Sequence, residues 1–238
     1  MDLSQRKVAA AGGDSGPPSQ RCRSEQLVDP HLAARYDAAA PGWHRRIEWF
    51  GYPQAYGRLF ARLHRAAWLR SLGSSGRVLE CGIGSGVLSL ALAGVAPVRE
   101  VVGVDIAPRM LREAAARLEA AGVAARMQRA DAHRLAQPDA SFDACISAHM
   151  LEHLARPEQA IGEMARVLRP GAPLVLIATR GTLADKLIRL KWRHEPIAPE
   201  RLIQWMRTAQ IENIVCCTIG DAWSPARFLS RAFIGRMS

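Results

Sequence analysis

The sequence has little lysine, no long apolar run and no C-x-x-C motif of the kind that binds metals. The longest apolar stretches, residues 87–93 and 174–178, are far shorter than the roughly 20 residues of a membrane-spanning helix, so we predict no transmembrane segment. The opening residues MDLSQRKVAA lack the apolar region of a secretory signal, so we expect no such signal. Five cysteines without a C-x-x-C motif fit a reducing compartment and argue against a cysteine zinc site. We therefore expect a cytoplasmic protein.

The 238 residues carry a net charge of +10, which raises the question of a nucleic-acid partner. However, 29 of the 32 basic residues are arginine, and only Lys7, Lys186 and Lys191 are lysine. This bias, with abundant alanine, is typical of a GC-rich genome, and the arginines are spread along the chain. With 49% hydrophobic and 23% charged residues, the composition is that of an ordinary globular protein. We expect no nucleic-acid partner.

Composition divides the chain into three parts. Residues 1–25 are small, polar and rich in Gly, Pro and Ser, which predicts a disordered tail. Residues 26–75 have helical periodicity, and positions 36–60 hold seven of the fourteen aromatic residues. This segment is either a helical lid over a site or the core face of N-terminal helices. Residues 76–238 form the main domain, with a basic helical insertion predicted at 181–198.

Short apolar strands alternate with helices from residue 76 onwards. This alternation predicts a Rossmann-like, doubly wound α/β fold, in which a mostly parallel sheet has helices on both faces. A β-rich segment at 211–219 is followed by ARFLSRAFIGRM, which is predicted as a last, antiparallel strand. The five predicted parallel strands are Val78–Leu79, Val101–Val104, Ala125–Ala130, Phe142–Ser147 and Leu174–Ala178.

The strand–turn–helix segment VLECGIGSG, residues 78–86, indicates a ligand site. Its glycines allow close approach of the backbone, and the following helix presents free N–H groups. The third glycine comes one residue too early for a dinucleotide motif. Glu80, before the first glycine, would repel a pyrophosphate but suits a ligand with an ammonium group. Asp105 ends the second strand, where a carboxylate can accept ribose hydroxyls, and Asp131 follows the third, within reach of an adenine amino group.

These segments resemble the class I S-adenosylmethionine-dependent methyltransferases, in particular the type-11 and quinone C-methyltransferase-like group. The resemblance covers about residues 78–177 and rests on five pieces in the right order and spacing. These are VLECGIGSG, VVGVDIAPRML, RADAHRL, FDACISAHMLEHL and RVLRPGAPLVLI. It implies a seven-stranded sheet, S-adenosylmethionine as methyl donor and S-adenosylhomocysteine as product. Glu80, where relatives more often have aspartate, and Cys81 depart mildly from the family pattern.

The resemblance also implies roles for individual residues. The loop glycines would face the methionine part of the cofactor, Glu80 would hold its amino group, and Asp105 would bind the ribose. Tyr36 is similar to a tyrosine that closes over the cofactor in relatives. Ile106, Asp131 and Ala132 would surround the adenine, and Ser147 to His149 would lie below the sulfonium. The implied cofactor-binding set is Tyr36, Glu80, Gly82, Gly84, Gly86, Asp105, Ile106, Asp131, Ala132 and Ser147.

The stretch His149-Met-Leu-Glu152-His153 matches the H-x-x-E-H pattern of some zinc proteases. This stretch directly follows a predicted strand, whereas the protease motif lies within a long helix, so we expect no metal here. Instead, we expect Glu152 and His153 to brace the local helix. His149 is the candidate general base, if the methyl acceptor must lose a proton. Candidate acceptor-side residues are His44, Tyr52, Tyr56 and His194.

The predicted function is methyl transfer to an oxygen or nitrogen atom of a small molecule, with a secondary metabolite as the first hypothesis. The acceptor motif of nucleic-acid N-methyltransferases is absent after the fourth strand. A quinone C-methyltransferase or a phospholipid-headgroup N-methyltransferase is the alternative. The basic segment 183–192 either contacts an anionic substrate or membrane surface, or is a solvated helix face. A zinc hydrolase and a non-catalytic cofactor-binding partner are hypotheses from other classes.

Overall fold

The computed structural model describes residues 31–74, 76–181, 196–221 and 223–238. Two helices come first: α1 spans Leu32–Trp49 and α2 spans Tyr52–Arg65. They are separated at Gly51, whose φ of 73° is in the left-handed region that glycine adopts without strain. Pro53 lies in the first turn of α2, where its missing N–H costs no hydrogen bond. A 3₁₀ turn at Arg70–Leu72 leads into the sheet.

Strands and helices then alternate. Proline opens α4, α5, α6 and α7, because its fixed φ suits the first helical turn. The elements are β1 Gly76–Cys81, α3 Val87–Ala93, β2 Val98–Asp105, α4 Pro108–Ala120, β3 Ala125–Arg129, β4 Ala144–Ala148, a 3₁₀ turn Leu151–His153, α5 Pro157–Arg166, β5 Pro173–Thr179, α6 Pro199–Thr208, β6 Ile211–Thr218, α7 Pro225–Leu229 and β7 Ser230–Met237.

The seven strands form one sheet in the order β3-β2-β1-β4-β5-β7-β6. The pairs among β1 to β5 are parallel, and β7 runs antiparallel to both β5 and β6. The predicted mostly parallel, doubly wound sheet with an antiparallel last strand is therefore confirmed. One detail differs: the ARFL part of the closing segment is not strand, because Pro225 starts the short helix α7 and the strand begins only at Ser230.

Helices cover both faces of the sheet. On one face α5 and α6 pack against it, and Ile161, Met164 and Met206 are fully buried there. On the other face α2 and α3 pack against the strands, and Leu59 and Phe60 of α2 are fully buried. Full burial of such a side chain stabilises the fold by about 1.5–3 kcal/mol. Helix α2 thus belongs to the main hydrophobic core, while α1 lies over the edge of the sheet.

Several expectations concern residues that the structure does not describe. The tail at 1–25, the greater part of the insertion at 181–198, and His194 all lie outside the described residues. Within the described part of the chain, no helix combines the length and apolarity that crossing a bilayer requires.

Candidate active site

A cavity opens at the carboxyl ends of the parallel strands, where β1 and β4 are neighbours. The chain winds from β1 towards β2 and β3 on one side and towards β4 and β5 on the other, so this is the switch point at which doubly wound sheets bind ligands. The cavity encloses about 920 Å³, including its open mouth. Its walls come from α1 and α2, the glycine loop, the ends of β2 and β3, and residues 148–154.

The glycine loop after β1 uses the freedom of three glycines. Gly82, Gly84 and Gly86 have φ values of 69°, 52° and 78°. A Cβ on Gly82 would lie only 2.7 Å from Met150 Cβ, so the loop cannot carry a side chain where the segment 148–154 packs against it. Gly84 faces the open cavity opposite Trp43, whose Nε1 is 3.8 Å from where a Cβ would be. Gly86 is the N-cap residue of α3 and does not line the cavity.

Glu80 lines the cavity while its side chain is otherwise buried. Its Oε2 accepts hydrogen bonds from the backbone N–H of Ser89 at 3.0 Å and from the Ser89 hydroxyl. Burial raises the pKa of Glu80 to about 8, although the two Ser89 donors act in the opposite direction. A bound ammonium group would compensate this buried charge, so the geometry fits the amino end of a methionine-like ligand.

Asp105, the last residue of β2, also lines the cavity. Its Oδ2 accepts a hydrogen bond from the N–H of Gly84 and its Oδ1 one from the N–H of Ala107, both at 2.9 Å. Burial raises the pKa of this carboxyl, and the backbone donors partly offset that effect. The side chain therefore ties the glycine loop to the start of α4.

Asp131 is held by a residue to which we assigned no role from the sequence. Asp131 Oδ1 accepts hydrogen bonds from the backbone N–H of His133 at 2.9 Å and pairs with its Nδ1 at 2.6 Å. The His133 side chain is fully buried, whereas Asp131 is half-exposed and lines the cavity. The spacing Asp-x-His, in which the histidine can return to its own turn, was the only signal in the sequence.

The polar groups follow one another along the edge of the sheet. Because the strand order is β3-β2-β1-β4, Asp131, Asp105, Glu80 and His149 stand in that order at successive strand ends. Neighbouring strands are about 4.8 Å apart, so the row spans roughly 14 Å. Three carboxylates in a row offer partners for an amino-purine, a ribose and an ammonium group, and His149 comes next to the ammonium site.

Helix α1 covers this row. Leu32, Tyr36, Trp43 and Ile47 line the cavity, and their spacing places them on one face of the helix. The Tyr36 hydroxyl lies 2.8 Å from His153 Nε2, and the Tyr36 ring stacks edge-on with Trp43 at 5.5 Å. Burial, with smaller contributions from Glu152 and Asp105, raises the Tyr36 pKa, so its phenol stays neutral. The Tyr36–His153 bond joins α1 to the 3₁₀ turn across the cavity.

His149 follows β4 with a φ of 54°, an uncommon conformation for a non-glycine residue. Its ring lines the cavity, with Nδ1 3.8 Å from Glu152 Oε1 and Nε2 3.4 Å from Ser230 Oγ. Burial alone would raise the pKa of Glu152, but the His149 ring and the Thr179 donors outweigh it and lower the pKa to about 2. A charged carboxylate thus lies 3.8 Å from Nδ1 of the imidazole, an arrangement that helps to fix the ring.

The remaining candidates from the sequence occupy different positions. Ile106, Ala132 and Tyr56 line the cavity. Tyr52 does not, but its ring contacts the His149 ring at 5.2 Å and its hydroxyl lies 2.9 Å from Ser230 Oγ. The Ser147 hydroxyl donates to the Cys81 carbonyl at 2.8 Å, between two buried strands, and His44 pairs with Glu48 at 3.1 Å on α1 outside the cavity.

The H-x-x-E-H stretch does not assemble a metal site in this structure. His149 faces Ser230, Glu152 accepts hydrogen bonds from the N–H of Thr179 at 2.7 Å and its hydroxyl at 2.6 Å, and His153 bonds to Tyr36. Across the described ranges, no group of three or more His, Cys, Asp or Glu side chains is placed to hold a metal ion. Glu152 braces the ends of β4 and β5.

Comparison with known proteins agrees with the geometry. A family model described as a methyltransferase domain matches residues 79–176. A phosphatidylethanolamine N-methyltransferase from Cereibacter sphaeroides is 31% identical over 143 residues, which are 59% of this chain and 68% of that protein. The chain belongs to the S-adenosylmethionine-dependent methyltransferases.

Other methyltransferases extend the comparison. A demethylmenaquinone methyltransferase from Thermus thermophilus is 45% identical over 101 residues, 42% of this chain, so the match spans under half (46%) of that relative. The structure of magnesium protoporphyrin IX methyltransferase from Synechocystis, with bound S-adenosylhomocysteine, has a TM-score of 0.61 at 20% identity. The superposition covers 79% of this chain and 84% of the Synechocystis chain, so the two proteins share the fold.

The methyltransferase family implies S-adenosylmethionine as the methyl donor, and the cavity of this chain fits that molecule. Three carboxylates, on Glu80, Asp105 and Asp131, line the cavity, as a ligand with amino and hydroxyl groups requires. The bare backbone at Gly84 leaves room beside Trp43, whose Nε1 is 3.8 Å from where a Cβ would be.

Proposed function

We propose that this methyltransferase transfers a methyl group to an oxygen or nitrogen atom of a small acceptor, and that His149 takes the acceptor's proton. One observation carries the proposal: a histidine backed by a buried, charged carboxylate faces the cavity at the strand end next to Glu80. That position is beside the expected reacting methyl, where a base can be of use.

We assign the cofactor contacts to residues that line the cavity. Glu80 binds the amino group, Asp105 the ribose, and Asp131 with Ala132 and Ile106 the adenine. Tyr36 and Trp43 on α1 close the cavity and exclude water. The glycine loop contributes backbone N–H groups and close approach, and Gly86 and Ser147 support it from behind.

When bound, S-adenosylmethionine would supply a methyl carbon on a positively charged sulfur; the acceptor would bond to that carbon, and the sulfur would leave in line as the neutral thioether. The chain's own contribution is to align the acceptor and to keep water out. Nε2 of His149 accepts the proton that leaves the acceptor in place of its 3.4 Å contact with Ser230 Oγ, and Glu152 stabilises the resulting imidazolium through Nδ1. Ser230, at 3.4 Å, and the Tyr52 hydroxyl behind it hold the ring in the plane that faces the cavity.

A second candidate function is methylation of a quinol or of a phospholipid amine. It is favoured by the relatives, whose names give demethylmenaquinone and phosphatidylethanolamine as substrates. His149 can serve as the base for methylation of a ring carbon as well as of an oxygen or nitrogen atom. Deprotonating a phenolic oxygen increases the negative charge on the neighbouring ring carbon, which then attacks the methyl group.

The test is methyl transfer from labelled S-adenosylmethionine to a panel of phenols, hydroxynaphthalenes and primary amines. We expect His149→Gln to lower kcat by about a hundredfold or more while S-adenosylhomocysteine binds as before. His64→Gln, on the exposed side of α2, is the matched control and should behave like the natural protein. Undiminished kcat in His149→Gln would refute the role of the base. Cofactor binding without transfer to any acceptor would favour a non-catalytic partner.

A further inference from the structure

Three large side chains protrude at one end of the candidate active site. Trp49 is 78% exposed, Trp223 91% and Phe228 57%, whereas the other tryptophan and phenylalanine residues of the described chain are buried or half-buried. We call these three residues the aromatic patch. Large aromatic side chains that project into water in this way mark an interaction site.

Contacts between their segments bring the three residues to the same region. Trp49 ends α1, and its ring packs on Phe50 at 4.9 Å. The segment with Trp223 lies against the start of α2, since Asp221 pairs with Arg58 and Ser224 Oγ is 3.4 Å from where a Cβ on Gly51 would be. Phe228 follows on α7, directly after this segment.

The aromatic patch flanks the His149 end of the cavity. Phe228 lies two residues before Ser230, whose hydroxyl is 3.4 Å from His149 Nε2 and 2.9 Å from the Tyr52 hydroxyl. On the other side, α1 ends at Trp49, two residues after Ile47, which lines the cavity, so the end of the helix that carries Trp49 borders the cavity. An acceptor that enters between these elements would therefore pass the aromatic patch before it reaches His149.

The charge around the aromatic patch is mainly positive. Arg62 donates to the Thr218 carbonyl at 2.6 Å, and Arg180 to the Arg227 carbonyl at 3.3 Å, so these guanidinium groups stand close to the patch. Among described residues 44–62, 180 and 218–229, the acidic residues are Glu48 and Asp221, which pair with His44 and Arg58. The basic residues of these segments are Arg45, Arg46, Arg58, Arg62, Arg180 and Arg227.

We propose that the aromatic patch and its arginine rim dock on an anionic phospholipid surface and admit the methyl acceptor from the bilayer. Tryptophan prefers the interface between water and lipid, and arginine is attracted to anionic headgroups. A second copy of the chain fits less well, because a two-fold contact would place the positive rim against itself. The inference rests on the proposed function and narrows its acceptor to a lipid-dissolved molecule.

Vesicle binding by the full chain tests the proposal. The natural protein should sediment with vesicles of phosphatidylcholine mixed with phosphatidylglycerol, less with phosphatidylcholine alone, and less again in high salt. The double variant Trp49→Ala, Trp223→Ala should lose at least about tenfold in partitioning. Val215→Ser removes an exposed apolar side chain on β6, outside the patch, and should partition like the natural protein.

Separate measurements distinguish this proposal from the proposed function. Calorimetric binding of S-adenosylhomocysteine and methyl transfer to a water-soluble phenol should be the same in the double variant and the natural protein. Equal vesicle binding by the double variant, or none by the natural protein, would overturn the docking surface whatever the enzyme assay shows. Light scattering that finds a dimer in the natural protein and a monomer in the double variant would assign the patch to a second copy instead.

Discussion

The carboxylate of Glu80 and Ser89 are joined by two hydrogen bonds, one from the Ser89 backbone N–H at 3.0 Å and one from its hydroxyl. Ser89 lies in the first turn of α3, so the pair fixes the helix that follows the glycine loop to the end of β1. Both donors contact the same oxygen, Oε2, which leaves Oε1 to a ligand.

The buried Glu80 should make the cofactor-free protein less stable as pH rises. Its pKa is about 8 in the fold against an ordinary 4.5, so between these values the folded protein keeps a proton that the unfolded chain has released. Stability therefore falls with rising pH across this window. At pH 8, Glu80→Gln should melt several degrees higher than the natural protein. At pH 5, the two proteins should melt at similar temperatures, and calorimetric scans would measure both differences. Parallel melting curves at every pH would contradict this.

Glu80→Gln should also bind S-adenosylhomocysteine more weakly, because the amide cannot offset the ligand's ammonium charge. This binding measurement is the internal control for the preceding experiment, because the same substitution must stabilise the cofactor-free protein at pH 8 and weaken its complex. A variant that merely damages the fold would lower both the melting temperature and the affinity for S-adenosylhomocysteine.

His133 should act on the cofactor only through Asp131. Replacing His133 by leucine removes the partner at 2.6 Å and should cost about tenfold in affinity for S-adenosylhomocysteine, the usual loss for a hydrogen bond to a charged group. In an Asp131→Ala background the same change should have little further effect. Arg134→Ala, on the exposed side of the same turn, is the control. Additive losses would show that His133 acts independently of Asp131.

Glu152 should be a positioning residue for His149. Glu152→Gln keeps an oxygen for the Thr179 donors but removes the charge 3.8 Å from Nδ1. We expect kcat to fall by about tenfold to a hundredfold with the KM for both substrates nearly unchanged, because the imidazolium loses its counter-charge. Steady-state kinetics on any acceptor found above would measure this. A rise in KM at constant kcat would assign Glu152 to substrate binding instead.

Tyr36→Phe should speed release of the cofactor product. The change removes the hydroxyl that bonds to His153 at 2.8 Å but keeps the ring that contacts Trp43. Loss of one partly buried hydrogen bond corresponds to about a fivefold change in dissociation rate. Stopped-flow tryptophan fluorescence would follow it, and an unchanged rate would show that α1 does not hold the ligand in place.

The parts of the fold that depend on local signals could be predicted from the sequence. The glycine loop and the acidic residues at strand ends carry their pattern within a few residues, and so do the prolines that open helices. The start of the closing strand could not be predicted in this way, because ARFL has apolar residues that suit either a strand or a helix. Pro225 at the first helical position decides for the helix α7.

The links between distant segments could not be predicted. Ser230 reaches His149 across 81 residues, and this contact depends on the antiparallel register of β7 against β5. Tyr36 reaches His153 across 117 residues, which depends on how α1 crosses the sheet edge. The aromatic residues of the N-terminal segment were visible, but only packing separates buried Phe60 from exposed Trp49.

The most direct test is calorimetric titration with S-adenosylhomocysteine of the natural protein, Asp105→Ala and Asp105→Asn. We predict micromolar binding by the natural protein and none detectable by Asp105→Ala, because the ribose loses its carboxylate. Asp105→Asn keeps one of the two acceptor oxygens, so it can still accept one of the N–H bonds from Gly84 and Ala107, and it perturbs the loop less than Asp105→Ala does. Equal affinity in all three proteins, each shown to be folded, would contradict the assignment of this cavity to the cofactor.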